Sequence, residues 1–474
     1  MLGLLIGFLC NAHATAQEAA PSEVPPATPS ALVASSFSHL EWHTLDNGLL
    51  VVLDPNPDVS TVTVAIGVDV GQRDAPPGWS GLVHLAEHLL FRAHGSDSPL
   101  HRGENQPHFI ERLERLGVIS CNGMTSRDRT VYFETVPARA LDEVLWLEAD
   151  RLTNVLPNLD LNTLVREREI VHRERALRDD ASTLAPQLVH RIFYGRTHPY
   201  ADALAERAQD LDAIGLPEMQ SFLQRAYTPE HLTVAISGSF DASTIMPRIT
   251  QLFGGLRSTA LPIAAPEVAI PVMYGERRLL VDVPRARDAL MVIWPTPPFG
   301  AREDATLDVL AHTMERRLRE RLHDAGHSYL VRARQQSSDL ASEFTVYIEV
   351  PRHSGTLAPL RAVNSVLTSL QTQRVEDGEL ARTRSDILRD WLRTFDSPQS
   401  RALALVRRPL AFPARRYDPR EDVARYEAVD ADGMQRTAIR WLRHSARLVV
   451  SLDATRSAPY EGVLVRDMIA GVGQ

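Results

Sequence analysis

The sequence predicts an α+β protein of two similar domains, each with an antiparallel or mixed sheet packed against helices. A series of strand and helix patterns precedes a stretch rich in Pro and Ala at 259–271, and a similar series follows it. A chain of 474 residues is also too long for one ordinary hydrophobic core. The repeated order of elements therefore indicates an internal duplication.

The N-terminal segment has the pattern of an export signal, because a short apolar run at 2–10 is followed by small residues. We therefore expect a periplasmic or secreted protein. No later segment is apolar enough over a sufficient length to predict a membrane helix. The expected segments are a signal peptide (1–16), a disordered linker rich in Ala, Pro and Ser (17–37), an N-terminal domain (38–257), a second linker (258–271) and a C-terminal domain (272–474).

The first half begins with a predicted hairpin at Glu41–Leu53, where Asp46-Asn47-Gly48 is a strong turn signal. Thr61–Val70 is β-branched and alternating, as is typical of a strand. Ser80 is placed to cap a helix that runs to Phe91. The other elements expected in this half are helices near Pro107–Leu116, Ala138–Asn154, Leu159–Arg178 and Pro217–Ala226, and strands near Val118–Thr125, Thr130–Val136 and Leu232–Ser237.

The second half repeats this order of strands and helices but contains no second copy of the histidine motif described below. Any metal site should therefore belong to the first half. The elements expected here are strands near Arg278–Asp282, Leu290–Trp294, Tyr329–Gln335, Glu343–Val350 and Arg447–Leu452, and helices near Ala305–His323, Ala358–Gln371 and Gly378–Thr394.

Composition excludes several classes of protein. The hydrophobic content of 44% and the charged content of 23% are those of a globular chain. With a net charge of −9 and no dense basic stripe, nucleic acid is not an expected partner. Removal of the signal would leave Cys121 as the only thiol, so we expect no internal disulfide. Its surroundings predict a strand, where a free Cys usually acts as a small hydrophobe.

The segment His84-Leu-Ala-Glu87-His88 is the main candidate for chemistry. Residues three and four apart lie on one face of a helix, so both histidines can bind one ion. Imidazole suits zinc, and a catalytic zinc usually has three protein ligands and a water. The order H-x-x-E-H is a metallopeptidase motif. The alternative is an amphipathic helix that carries two histidines by chance, although buried ionisable groups on an apolar helix need partners.

A third ligand is available on the helix predicted around Leu159–Arg178. Glu167 and Glu174 are seven residues apart, almost two turns, and therefore share a face. One carboxylate could bind the metal while the other orients a ligand. A solvated charged helix is the alternative, and Glu169 and His172 are local competitors that spacing does not exclude.

Taken together, these motifs resemble those of the pitrilysin family of zinc metallopeptidases, which includes insulin-degrading enzyme and the mitochondrial processing peptidase. The pattern is H-x-x-E-H followed downstream by E-R-x-x-V-x-x-E at 167–174. The similarity runs in family order from about Leu40 to Arg257 and more weakly beyond. Further similar segments are Gly71–Asp74, Asn122–Phe133, His198–Tyr200 and Tyr227–Gly238.

The resemblance implies a zinc metalloendopeptidase whose catalytic domain is 38–257, with one Zn²⁺ per chain. It makes His84, His88 and Glu174 the zinc ligands. Glu87 would be the general base, and Glu167 a carboxylate behind the ligands.

The resemblance also implies that the substrate adds a strand to a sheet edge beside the zinc. The matching residues are Asn122, Gly123 and Thr125, with Gly123 in place of the usual Ala. Gly would permit close approach of a backbone and would also loosen the edge. For Asn122 the alternative is a plain turn residue, since Asn-Gly is a common turn pair.

In the family, an Arg and a Tyr from a later domain support the tetrahedral intermediate. Tyr329 matches that Tyr, whereas Arg321 lies one residue further from it than the family spacing. Arg319 and His323 are neighbouring alternatives, and the segment could also be a simple charged helix end.

With two domains, the chain is about half the length of the single-chain members of the family. It therefore resembles the subunits of the dimeric, mitochondrial processing peptidase-like branch. We expect it to be a secreted bacterial member of that branch. A homodimer or a heterodimer with a relative would enclose peptides or unfolded segments as substrates. The rival function is that of a non-catalytic scaffold or partner subunit.

Overall fold

The computed structural model describes residues 29–92, 109–178, 181–203, 206–257, 268–282, 287–323, 329–352, 354–407, 416–453 and 463–464. The predicted signal peptide, most of the first linker and residues 258–267 of the second linker lie outside them. Across the described residues, no helix combines the length and apolar character that crossing a membrane requires.

A six-stranded mixed sheet organises the first half. Its strand order is β1-β2-β6-β3-β5-β4, which leaves β4 at an edge. The predicted hairpin is confirmed, because the first two strands pair in antiparallel register. The strands are β1 (Glu41–Thr44), β2 (Leu50–Pro55), β3 (Thr61–Val68), β4 (Ser120–Thr125), β5 (Thr130–Pro137) and β6 (Leu232–Gly238).

The α-helices of this half are α1 (Pro29–Ser36), α2 (Leu82–Phe91), α3 (Phe109–Leu116), α4 (Leu141–Asn158), α5 (Leu161–Arg178), α6 (Ala181–Tyr194), α7 (Ala208–Ala213), α8 (Leu216–Ala226) and α9 (Ala242–Phe253).

The second half repeats the plan around another six-stranded sheet of order β12-β7-β11-β8-β10-β9. In the first sheet β2 pairs in parallel with β6, and in the second sheet β7 pairs in parallel with β11. On the other side of these last strands, β3 pairs antiparallel with β6, and β8 pairs antiparallel with β11. The expected α+β duplication is thus confirmed. The elements are β7 (Arg277–Asp282), β8 (Asp288–Thr296), β9 (Leu330–Gln336), β10 (Ser342–Val350), β11 (Leu448–Asp453), β12 (Val463–Leu464), α10 (Asp304–His323), α11 (Leu357–Thr372), α12 (Asp377–Arg393), α13 (Pro398–Leu405), α14 (Pro419–Glu427) and α15 (Ala431–Trp441).

Each sheet buries one face, here called the inner face, against helices of its own half. In the first sheet Val64 and Ile66 of β3 and Tyr132 of β5 point to this face and pack with Leu85 and Leu89 of α2. The equivalent inner core of the second half lies between β8, β10 and helices α10, α11 and α15. Successive side chains of a strand point to opposite faces of its sheet. Each sheet therefore also has a second, outer apolar face that must be covered.

These outer faces are covered by an exchange of helices between the halves. Val189 and Phe193 of α6 pack on the second sheet with Leu448 and Val450. In return, Leu405 of α13 packs on the outer face of the first sheet. The remaining members of that outer core include Val52, Ala65, Val131, Phe133, Ala235, Leu388, Phe395 and Val406.

Buried charges join the two halves at the hairpin between β4 and β5. Arg127 donates a hydrogen bond of 2.6 Å to Glu343 of β10, and Tyr194 donates to the same oxygen. Arg73 lies between Asp128 at 2.7 Å and Asp339 of the second half at 3.2 Å. The edge of the first sheet is therefore tied to the second half by groups that are nearly all buried.

The prediction of a disordered linker over 17–37 is wrong for its last residues, since α1 occupies Pro29–Ser36. Val33 and Phe37 are buried in the outer core of the first sheet, and the ring of Phe37 meets Phe395 edge to face. These two side chains order the segment, because they bury apolar area against the other half of the chain. The boundaries 38–257 and 272–474 stay predictions.

Candidate metal centre

Helix α2 carries the H-x-x-E-H residues and begins at a tight bend. Gly81 precedes the helix with φ of 90°, a left-handed conformation that favours glycine. A Cβ at this position would lie 2.7 Å from Leu211, so both the bend and its packing require Gly. One side of the helix is buried in the inner core, and His84 and His88 project from the other toward α5. The side-chain pattern therefore presents both imidazoles to a second helix.

The two imidazoles and Glu174 form a compact set of ligands. Oε2 of Glu174 lies 3.6 Å from Nε2 of His84 and 3.6 Å from Nε2 of His88. Ligand atoms bound to a tetrahedral zinc at about 2.1 Å lie roughly 3.4 Å from one another. Among the described residues these three form a group that could hold a metal ion, since their potential ligand atoms all lie within 4.8 Å of one another. Two nitrogens and one carboxylate oxygen suit zinc.

Each histidine has a second carboxylate on the side away from Glu174. Nδ1 of His88 lies 3.4 Å from Glu167, and Nδ1 of His84 lies 3.1 Å from Glu206. A carboxylate at Nδ1 holds the proton there and leaves Nε2 free to bind a metal. Both rings are thereby oriented with Nε2 toward Glu174.

The charge of Glu167 is stabilised although the side chain is buried. Burial alone would raise its pKa, but hydrogen bonding with His88 and Arg92 outweighs this effect, and the pKa is lowered. Arg92 donates from Nε to Glu167 at 2.8 Å. Glu167 is therefore an anion held behind His88.

Sequence reasoning missed Glu206, which follows the His198–Tyr200 segment in a loop. It is buried, and it has the one positive φ recorded for a non-glycine residue within the described ranges, 28°. Gln72 donates a hydrogen bond to its Oε1 at 3.2 Å. No motif marks this position, because a loop brings it to His84 from more than 100 residues away.

Glu87 projects from α2 toward the edge strand β4. Thr125 donates a short hydrogen bond to its Oε2. A Cβ on Gly123 would lie 2.6 Å from Oε1 of Glu87 and 2.7 Å from the ring of Phe91. The absence of a side chain at Gly123 thus lets the strand backbone lie directly against the carboxylate.

These groups share one open cavity of about 360 Å³ between α2, α5 and β4. Its lining places the three predicted ligands next to Asn122 and Gly123 of the edge strand. The lining residues are His84, Glu87, His88, Phe91, Arg92, Ile110, Asn122, Gly123, Glu167 and Glu174.

The other candidates on α5 and α10 lie elsewhere. His172 is 2.9 Å from Asp212, and Glu169 is exposed. Arg321 is exposed near the end of α10, and Tyr329 packs against the inner core of the second half. Neither Arg321 nor Tyr329 is among the residues that line the cavity within the described ranges.

Two family models match the chain. Residues 50–206 match the insulinase family, peptidase family M16, and residues 213–386 match the peptidase M16 inactive domain. An uncharacterized zinc protease of Mycobacterium leprae is 28% identical over 44% of this chain and 45% of its own length. A probable mitochondrial-processing peptidase subunit beta of Schizosaccharomyces pombe is 26% identical over 55% of this chain and 56% of its own length.

The fold is also that of a solved structure. A protease from Helicobacter pylori superposes with a TM-score of 0.76 and 21% identity, over 87% of this chain and 99% of that one. This likeness shows the shared two-domain fold. In contrast, the chain spans about half the length of the curated relatives that it matches.

The two matches lie in both halves and show that the chain is similar to peptidase family M16, the insulinase family.

Proposed function

We propose that the chain is a zinc-dependent metalloendopeptidase that hydrolyses peptides or unfolded segments. The observation that carries this proposal is the meeting of three ligand atoms, two histidine Nε2 and one Glu174 oxygen, beside the carboxylate of Glu87. A zinc ion bound there would lower the pKa of water to about 7 and polarise a carbonyl.

Glu87 would serve as the general base and acid. Its carboxylate would accept a proton from the attacking water and pass it to the leaving amine. The hydrogen bond from Thr125 fixes one oxygen of Glu87, and Gly123 leaves the other close to the backbone of β4. No covalent nucleophile is required.

The substrate backbone would pair with β4. This strand is at the sheet edge and pairs only with β5 in the described sheet, so its other side can accept an extended peptide. Asn122, which is exposed, and Gly123 line the cavity at this edge. Asn122, Gly123 and Thr125 are therefore the proposed substrate-binding residues.

We also infer that the working enzyme is a dimer, either of two copies or with a family relative. Arg321 and Tyr329 stay predictions for the active site, and they would have to arrive with a second chain or on closure of the halves. The apolar N-terminal segment supports an exported, periplasmic or secreted location.

A non-catalytic subunit is the second candidate, favoured by the match of the second half to a model described as an inactive domain. Purified chain, alone and with any co-purifying subunit, should be analysed for zinc and then incubated with a peptide library. The enzyme should hold one zinc per chain and cleave peptides in a chelator-sensitive manner. Chain without zinc or zinc-loaded chain without cleavage would favour the scaffold.

A further inference from the structure

A cavity of about 760 Å³ lies between the halves, on the outer face of the first sheet. Met124 of β4 and Val131 of β5 are paired and form part of its wall. Val131 belongs to the outer core, whereas Tyr132 points to the inner core beside α2. Because paired residues share a face, Met124 points away from the metal centre and toward this second cavity.

The walls of the cavity are mainly apolar and come from both halves. Residues 336–338, at the end of β9 and in the connection to β10, bring polar groups to its rim. Apolar walls with a few polar groups are typical of ligand sites. The apolar wall residues of the second half are Trp391, Phe395, Leu403, Ala404 and Tyr417.

Among the described residues three arginines line the cavity: Arg127 is paired with Glu343, whereas Arg407 and Arg129 add positive charge. Arg407 lines it and lies over the ring of Phe299 at 3.4 Å, and its Nε is buried without a hydrogen-bond partner in the described part of the chain. Arg129 also lines the cavity, and a carboxylate oxygen of Asp339 is 3.9 Å from its guanidinium. Burial, followed by repulsion from Arg129, lowers the pKa of Arg407. An anion placed between the two guanidinium groups would be stabilised.

Asp339, the carboxylate that acts on both Arg407 and Arg129, also accepts a hydrogen bond of 3.2 Å from Arg73. Asp128 accepts a hydrogen bond of 2.7 Å from Arg73, and Glu343 accepts one of 2.6 Å from Arg127. These ion pairs hold the two halves together and leave Arg407 without a carboxylate hydrogen-bonded to it in the described residues.

The position of the cavity relates it to a bound peptide. In a strand added to β4, the side chain opposite Met124 lies on the outer face, as Met124 does. Its two neighbours in the peptide lie on the inner face, where Gly123 and Thr125 meet Glu87. The cavity is thus reached by a side chain one residue away from the position that faces Glu87.

We propose that this cavity is a specificity site that binds a glutamate side chain of the peptide substrate. The inference rests on the proposed peptidase function and adds a substrate preference to it. The carboxylate would bind Arg407 and Arg129, and the methylene groups would contact Trp391 and Phe395.

The test uses pairs of peptides that differ only in Glu or Gln at one position, moved through the three positions on each side of the scissile bond. Zinc-loaded enzyme should cleave one Glu peptide with kcat/KM about tenfold above its Gln partner, since a charge-assisted hydrogen bond is worth about 1.5 kcal/mol. The peptide positions directly before and after that Glu position should show no preference for Glu over Gln, because their side chains lie on the inner face.

Arg407→Gln and Arg129→Gln should each reduce the Glu-to-Gln ratio toward one. Arg393→Gln is the matched control, because this exposed arginine of α12 pairs with Asp390 and is not among the residues that line the cavity. The dissociation constants of both peptides for the Glu87→Gln chain give a second measurement that needs no turnover. If Arg407→Gln does not fold, Arg129→Gln still decides the result.

Equal cleavage of every pair by the parent enzyme would overturn the specificity site and leave the peptidase function intact. A Glu preference that survives both arginine substitutions would overturn it as well. Conversely, tighter binding of one Glu peptide without any cleavage, lost in Arg407→Gln, would support the site and contradict the peptidase function.

Discussion

Thr125 of the edge strand donates a hydrogen bond to Oε2 of Glu87 on the helix that carries both histidines. This contact connects the strand that is proposed to bind the substrate with the residue that is proposed as the general base. A movement of β4 would therefore change the orientation of the Glu87 carboxylate. If a peptide pairs with β4 as proposed, this one hydrogen bond would couple its binding to the chemistry.

Glu87→Gln should keep zinc and lose nearly all peptide cleavage. The amide retains the shape of the side chain but accepts no proton from water, and loss of a general base typically costs 10²–10⁴-fold in rate. Zinc content by metal analysis and kcat/KM on a cleaved peptide are the measurements. Full activity in this variant would contradict the role of Glu87.

Thr125→Val should lower kcat about tenfold, with zinc content unchanged, because the carboxylate of Glu87 loses the donor that orients it. Thr125→Ser keeps the hydroxyl and is the control, expected near the parent value. A kcat of Thr125→Val equal to that of the parent would show that the hydrogen bond does not matter for the rate.

Glu206→Gln should weaken zinc binding by about 10–100-fold, the usual effect of losing a carboxylate that orients a ligating histidine. Competition with a chromogenic chelator measures the zinc affinity directly, without any assay of activity. Glu169→Gln, an exposed carboxylate on α5, should bind zinc as the parent does. Unchanged affinity in Glu206→Gln would mean that the 3.1 Å contact with His84 is incidental.

Glu343→Gln should destabilise the protein at neutral pH by about 3 kcal/mol, since a buried ion pair between the halves is broken. Burial alone would raise the pKa of Glu343, but Arg127, His190 and Tyr194 outweigh it, and the pKa is lowered. The stabilisation is thus present above the unfolded pKa of about 4.3 and is lost as the pH falls through the folded value.

Urea denaturation at several pH values checks this prediction. The difference between parent and Glu343→Gln should shrink as the pH falls below about 4. Glu349→Gln, on the same strand, is the control and should have little effect at either pH. A difference that does not depend on pH would indicate lost packing instead of lost charge.

The sequence was most informative where periodicity and motif coincide. The H-x-x-E-H helix and the hairpin at the N-terminus of the first sheet follow from local patterns, whereas the edge position of β4 is expected from the family resemblance, and all three are present in the structure. Glu174 could be paired with the histidines only through a family pattern, since spacing along α5 allowed Glu169 and His172 equally. The structure separates them, because only Glu174 of the three lies within reach of both imidazoles.

Other features depend on contacts that no local pattern encodes. Helix α1 is ordered because Val33 and Phe37 pack on residues distant in the sequence. Glu206 lies in a loop that brings it to His84. The sequence did not predict helices α6, α7, α9, α13, α14 and α15. The apolar residues of α6 fit a helix, but their partner is the sheet of the other half, which short-range periodicity cannot indicate.

Because each half covers the outer sheet face of the other half with one of its helices, neither half is a complete folding unit. A half chain alone would expose the outer face of its sheet while its own outer helix lacked a surface to cover. Two identical half chains could satisfy both needs by trading that helix, so the present molecule has the architecture of a swapped dimer made continuous by a linker. Cutting the gene between the halves should therefore yield fragments that are stable together and aggregate apart.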